Sequence, residues 1–351
     1  MIDLSQARLT TLAVHRVGNK MRREGVTAAK ALFDLDESMS IILQDYFLHP
    51  FKAEEFFQFA HETDLNLNEV YTYCRNIFTL SREEFLTQSV NILQHLYAVS
   101  VHPHIKQGEL YVAHFRECIV DGTPLEAVGI FKSENKDVFL KIDGNDEAVA
   151  VTAEQGINVK RLDKGCLVFN TFQDDGFSLL MVDKSSEDAQ YWRDDFLHVA
   201  RLHDNGYHTA AFMELTRDFC DEVFAREQDK KEQVVFLNKS LNYFNKNKEF
   251  DLDGFKEEVI GNEEYRDQFD DFRKVYEEQN ALPPAEEGFP ISRYAVRNMR
   301  RQFRSLIKLD SHVEIKLDPK HIDDASEYVE RGFDDHRGMF YYKIYFDEEL
   351  E

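Results

Sequence analysis

The sequence predicts an α+β fold, a central antiparallel sheet with flanking helices, an acidic helical region and a C-terminal β pair. Three observations carry this. Apolar residues recur at helical spacing from Asp36 to Tyr97 and again after Ser185. Between Glu109 and Val182 the pattern changes to short β-rich runs separated by turn residues. The connections there are too short for βαβ units, so an antiparallel meander is expected.

The elements follow in order. Leu9 to Val17 is β-branched and partly alternating, and it ends at Gly18-Asn19, which reads as a strand and a turn. The turn carries Lys20, Arg22 and Arg23, a small basic group. Ile41, Ile42 and Tyr46, then Phe56, Phe57 and Phe59, then Phe85, Val90, Leu93 and Leu96 keep helical spacing, with a break at Pro50. Leu110–Phe115 and Leu125–Phe131 flank Asp121-Gly122, a hairpin signal. Val138–Ile142, Gly156–Leu162, Gly165–Asn170 and Phe177–Val182 complete the expected strands. Helices are expected over Thr209–Arg226, Lys231–Asn245, Phe250–Ile260 with Asp251 or Asp253 as N-cap, and Tyr265–Gln279. Ala281–Gly288 holds two prolines and reads as a linker. His312–Leu317 and Met339–Phe346 both alternate and are expected to pair. Three regions result: 1–190, mixed α+β with the sheet; 191–284, acidic and helical; 285–351, a basic helix and the β pair.

Composition bounds the class. The 351 residues are 43% hydrophobic, enough for packed cores, and the 29 Phe against one Trp mark those cores as Phe-rich. No apolar run approaches the roughly 20 residues that span a bilayer, so no membrane role is expected. The first residues lack the basic start and apolar stretch of a signal peptide, so cytoplasmic residence is expected. Cys74, Cys118, Cys166 and Cys220 form no CxxC pair and read as buried free thiols.

The net charge is −24, yet Phe289 to Lys308 contains Arg293, Arg297, Arg300, Arg301, Arg304 and Lys308 and no acid. On one helix, at about 100° per residue, these six bases fall within an arc of roughly 100°. Val296, Met299, Phe303, Leu306 and Ile307 fill the adjacent arc, so the segment is expected to be amphipathic and cationic. The preponderance of Arg fits bidentate contact with phosphate or carboxylate. One expectation is phosphate-backbone contact. The other is docking on acidic helices of the chain itself or of a partner. Glu249–Glu278 and residues 310–351 each carry a net −8 and could supply the acids.

Other motifs are weaker. Glu249 to Ile260 resembles a calcium loop, but Ile260 occupies the place of the bidentate Glu, so a helix start is expected instead. His102-Pro-His104 or His198, His203 and His208 could ligate a metal, but the five-residue spacing of the second set does not converge on one helix face, and no H-E-x-x-H occurs. Glu314-Ile-Lys316 has the E-x-K form of metal-dependent nucleases, a remote alternative that strand alternation also explains. No phosphate-binding glycine loop or nucleophile motif occurs, so no catalytic residue, metal or cofactor is assigned and an enzyme is not expected.

With the layout complete, the chain resembles the bacterial 37-kilodalton nucleoid-associated protein family, through Val14-His-Arg-Val-Gly-Asn-Lys20, the sheet followed by acidic helices, and Gly288–Phe303 leading into Val313–Leu317. The resemblance covers nearly the whole chain. It implies association with the bacterial nucleoid and DNA binding, without known enzymatic activity. With the basic helix, the favoured expectation is sequence-nonspecific DNA contact, helped by Lys20, Arg22 and Arg23. Arg293, Arg297 and the neighbouring bases match the family's basic helix. Some members have a glycine-rich loop after that helix, where this chain reads Arg304-Ser-Leu-Ile-Lys308. A protein partner or a homo-oligomer is compatible with the same reading.

Overall fold

The computed structural model describes residues 2–52, 55–79, 82–145, 148–184, 191–227, 229–280, 282, 284–285, 288–303, 306–317 and 327–348. The fold is α+β. Its contacts divide the chain into two units, Met1–Leu202 and His203–Glu351. The second unit holds both the acidic helical region and the C-terminal region.

In the first unit the strands are β1 (Ile2–Asp3), β2 (Arg8–Val17), β3 (Val26–Thr27), β4 (Phe56–Phe59), β5 (Gly108–Val120), β6 (Thr123–Ser133), β7 (Asp137–Asn145), β8 (Ala148–Gly156), β9 (Lys164–Phe169), β10 (Ser178–Asp183) and β11 (Val199–Arg201). Nine of them form one sheet in the order β11-β4-β10-β9-β6-β5-β2-β3, with β1 also on β5, while β7 and β8 make a separate hairpin. Among the described residues these pairings are all antiparallel. Helices α1 (Glu37–Leu48), α2 (Glu69–Thr79) and α3 (Arg82–Val99) cover the sheet.

Strand alternation explains how both faces are buried. On β5, Leu110 and Val112 enter one core, with Val70, Cys74, Ile92 and Leu96 of α2 and α3. Tyr111, Ala113 and Phe115 enter the other, with Tyr46 and Phe47 of α1. The ring of Phe47 stacks on Phe131 of β6 with centroids 4.4 Å apart.

Two local expectations are corrected. Phe56, Phe57 and Phe59 lie on a strand, β4, bonded to β10 and β11 on its two sides. Closely spaced phenylalanines satisfy a helix stripe and a doubly buried strand alike, and sheet pairing decides here. Strand β8 ends at Gly156, where the sequence suggested that a strand begins. Beyond it the Asn158 side chain accepts from Lys160 N–H at 3.0 Å, a local bond that favours a turn.

The interior of this unit contains charge. Lys132 and Lys164 are neighbours on β6 and β9, and both are fully buried. Lys132 Nζ donates to Glu134 at 2.6 Å and to the Tyr191 hydroxyl at 3.2 Å. Lys164 Nζ donates to both oxygens of Asp183 at 2.9 Å. Burial lowers the Lys132 pKa, opposed by Glu134. The pairing answers the desolvation that two interior ammonium groups incur.

The second unit contains α4 (Asn205–Phe219), a π-helical turn over Cys220–Phe224, α5 (Ala225–Glu227), α6 (Lys230–Lys246), β12 (Glu249–Phe250), α7 (Leu252–Phe255), a second π-helical turn over Lys256–Ile260, α8 (Glu263–Gln279), β13 (Phe289–Pro290), α9 (Arg293–Met299), β14 (Leu306–Lys308), β15 (Glu314–Lys316), β16 (Val329–Asp334) and β17 (Met339–Ile344). Its core is a cluster of phenylalanines that includes Phe212, Phe219, Phe244, Phe250, Phe255 and Phe269. Asp251 caps α7, accepting from Gly254 N–H at 2.7 Å, so the loop that resembled a calcium site is a helix start. The pairing expected between His312–Leu317 and Met339–Phe346 is replaced by two hairpins, β14 with β15 and β16 with β17. All four cysteines are buried and free. Burial pushes the Cys118 thiol up to about 12.

Candidate nucleic-acid interface

The segment before α9 is fixed from two directions. β13 pairs with β12, joining Phe289 to Phe250, and Ile291 N–H donates to Lys248 O at 2.8 Å. Ser292 N–H then donates to Thr209 Oγ1 of α4 at 3.0 Å, and the Ser292 hydroxyl caps α9 through Ala295 N–H. Ala295, Val296 and Met299 are buried, and α9 packs on α4 and α6. The apolar face is thus core, and the basic side chains point outward.

The single long helix expected over Phe289–Lys308 does not form. α9 ends at Met299, and Arg300 to Phe303 continue as tight turns, with Phe303 N–H donating to Arg300 O at 3.3 Å. Leu306–Lys308 is strand β14, and Ile307 is buried in a small core with Val234 and Val235 of α6. Leu306 and Ile307 satisfied the helical stripe, but β-branched Ile307 meets its apolar neighbours equally well from a strand. Lys308 is therefore off the helix and faces Glu314 across the hairpin, Nζ to Oε1 3.1 Å. Arg304 lies outside the described residues.

The remaining arginines differ in their engagements. Arg293 reaches back to the end of α6 and donates to the carbonyls of Phe244, Asn245 and Asn247 at 3.0, 2.6 and 3.0 Å. A cation here satisfies orphan carbonyls and complements the negative end of the helix. Arg297 lies 5.9 Å from the ring centre of Tyr294. Arg297, Arg300 and Arg301 are exposed, and among the described residues none makes an ion pair. The described ion pairs of acidic α8 instead go to Lys256 and to its own Arg273.

Two further bases were missed by reading α9 alone. Lys246 and Lys248 are exposed on the stretch that Arg293 and Ile291 grip. The signal was present as Asn245-Lys-Asn-Lys248, two bases just before an acidic run.

Lys20, Arg22 and Arg23 belong to the first unit, on a loop held by Asn19. The buried Asn19 side chain donates to the carbonyls of His102 and Ile105 at 2.7 and 2.8 Å. Arg22 is partly committed, donating to Ile105 O at 3.1 Å and lying 3.6 Å from Glu24. Lys20 and Arg23 are exposed. Arg23 adopts φ 60°, a left-handed conformation that a non-glycine residue seldom takes.

The weaker candidates resolve structurally. Among the described residues no group of three or more His, Cys, Asp or Glu side chains could hold a metal ion. Glu314 of the E-x-K tripeptide faces out beside Lys308. His203 stacks on Tyr207 with centroids 4.2 Å apart, and burial lowers the His208 pKa. Among the described residues no helix is long and apolar enough to cross a membrane.

A family model described as Nucleoid-associated protein YejK matches residues 13–337, nearly the whole chain. The chain belongs to that nucleoid-associated family. The match takes in both units, including the Asn19 loop, α6 and α9. No curated protein gives a significant match.

Proposed function

We propose that the protein contacts nucleoid DNA without reading its sequence, through Arg297, Arg300 and Arg301 with Lys246 and Lys248 beside them. Lys20 and Arg23 act as an auxiliary basic group, and Arg293 serves mainly to join α9 to α6. The reading includes no catalytic step, and it places the protein in the cytoplasm, on the nucleoid. Its main support is a cluster of exposed bases without carboxylate partners among the described residues, in a chain of net charge −24. Exposed and without carboxylate partners among the described residues, these bases remain available to an external anion. Arginine forks suit phosphate oxygens, and such contacts position a protein on a duplex without base readout.

The test is a titration of fluorescent duplex DNA at several salt concentrations. Wild type should bind with a dissociation constant of about 10⁻⁶ to 10⁻⁴ M, weakening steeply with salt. The Arg297→Gln/Arg300→Gln/Arg301→Gln variant should bind weakly, with the log–log salt slope reduced by about 3, near one counterion per lost contact. No binding by wild type at low salt, or equal binding by both proteins, overturns the proposal. In that case an acidic protein segment becomes the better ligand for the same side chains.

A further inference from the structure

The hairpin β7–β8 stands outside the nine-stranded sheet, each of its strands nine residues long. Its register pairs Leu140 with Ala153 and Ile142 with Val151, so alternation assigns every side chain to one of two faces. One face carries Phe139, Lys141, Thr152 and Glu154, with Lys141 and Glu154 in an ion pair at 3.8 Å. The other carries Val138, Leu140, Ile142, Val149, Val151 and Ala153, ending at Gln155, without a charged side chain. This aliphatic face is open: its valines, Leu140 and Ile142 are between 60% and 72% exposed.

We infer that this face is a dimerisation surface, covered by the same face of a second copy of the chain. Two-stranded hairpins are marginal in water unless packed against something. The five large aliphatic side chains present roughly 500 Å² per copy, at the upper end of what monomers expose. Two such faces together hide about 1,000 Å², the threshold for a specific interface. A two-fold contact must be self-complementary, and an uncharged aliphatic face is so without any partner-specific group. The chemistry also disfavours other occupants. The face offers no donor, acceptor or charge apart from terminal Gln155, so it fits neither nucleic acid nor a charged protein surface. The inference is independent of the DNA reading.

The experiment is sedimentation of the full chain with a Leu140→Glu/Val151→Glu variant and a Thr152→Glu control on the opposite face. At about 0.1 mM, ample for a micromolar interface, wild type and control should be dimers and the double variant a monomer. Because both copies are strongly acidic, dimerisation should hold or strengthen as salt rises, opposite to DNA binding. Both changed side chains are exposed, so the circular dichroism of the variant should match wild type. A second readout is oxidative crosslinking of Leu140→Cys. The native cysteines are buried, so a covalent dimer that Thr152→Cys does not form places Leu140 at the contact. A monomeric wild type overturns the inference, whether the face is bare or covered by the chain itself. A double variant that remains dimeric overturns it too, because the contact then lies elsewhere.

Discussion

His15 on β2 shows how one polar side chain inside a sheet core makes stability depend on pH. It is buried, and Ala29 N–H donates to its Nδ1 at 3.0 Å. The neutral ring then carries its proton on Nε2, 3.1 Å from the Ser89 hydroxyl. Burial lowers the pKa to about 4, against about 6.5 for a histidine in an unfolded chain. Above about pH 6.5 the ring is neutral in both states and pH has no effect through it. Below that value only the unfolded chain takes up the proton, so stability falls as pH drops towards about 4. Between about pH 7 and pH 5 this site should remove about 2 kcal/mol. Urea midpoints across that range should fall more for wild type than for His15→Gln. Parallel slopes would show that His15 is protonated in the fold. The sequence placed this histidine in a stretch that carries the family resemblance but did not mark it as buried, because burial by α3 is a long-range fact.

At the level of elements, legibility followed the locality of the signal. Asp121-Gly122 was read as a hairpin turn, and Val120 indeed pairs with Thr123 around it. Both turn residues have positive φ, 48° and 80°, as a two-residue turn of the right twist requires. A Cβ at Gly122 would meet nothing within 4 Å, so substitution there is a pure backbone test. Gly122→Ala should lower stability by about 1 kcal/mol, and Asp121→Gly should not. Equal thermal midpoints for wild type and Gly122→Ala would mean the turn is not formed as described. A cap was equally legible: Asp251, one of two aspartates expected at that helix start, accepts from Gly254 N–H. The failures were of another kind. Phe56–Phe59 depended on strands far along the chain, whereas Leu306–Lys308 read as helix because Leu306 and Ile307 also fit the helical stripe, which hid the short hairpin with Glu314–Lys316. In the candidate interface, the amphipathic stripe put Arg297, Arg300 and Arg301 on one face, while their exposure, as against cover by the chain's own acidic helices, came only with the structure. That Arg293 would cap α6 was not legible, since its acceptors lie more than 45 residues away.

For the whole molecule, the separate cores of the two units make one arginine useful as a probe. Trp192 is the only tryptophan, and it is fully buried in the core of the first unit beside Phe196. Its fluorescence reports the loss of that core. Arg293 lies in the second unit, where its three bonds to the end of α6 hold α9 in place. Arg293→Ala removes donors from carbonyls that exposed backbone can partly rehydrate, so about 1–2 kcal/mol is the expected loss. The far-ultraviolet circular dichroism, which sums over both units, should then show an earlier transition in denaturant. The Trp192 midpoint should stay at its wild-type value. If the two probes shift together, the units unfold as one cooperative body and the loss belongs to the whole chain. The same variant separates structure from binding. Under conditions where the second unit remains folded, Arg293→Ala should weaken DNA contact less than Arg301→Ala, because its guanidinium is already engaged by carbonyls while that of Arg301 has no acid among the described residues. A larger loss for Arg293→Ala would move the phosphate contact to the joint between α6 and α9.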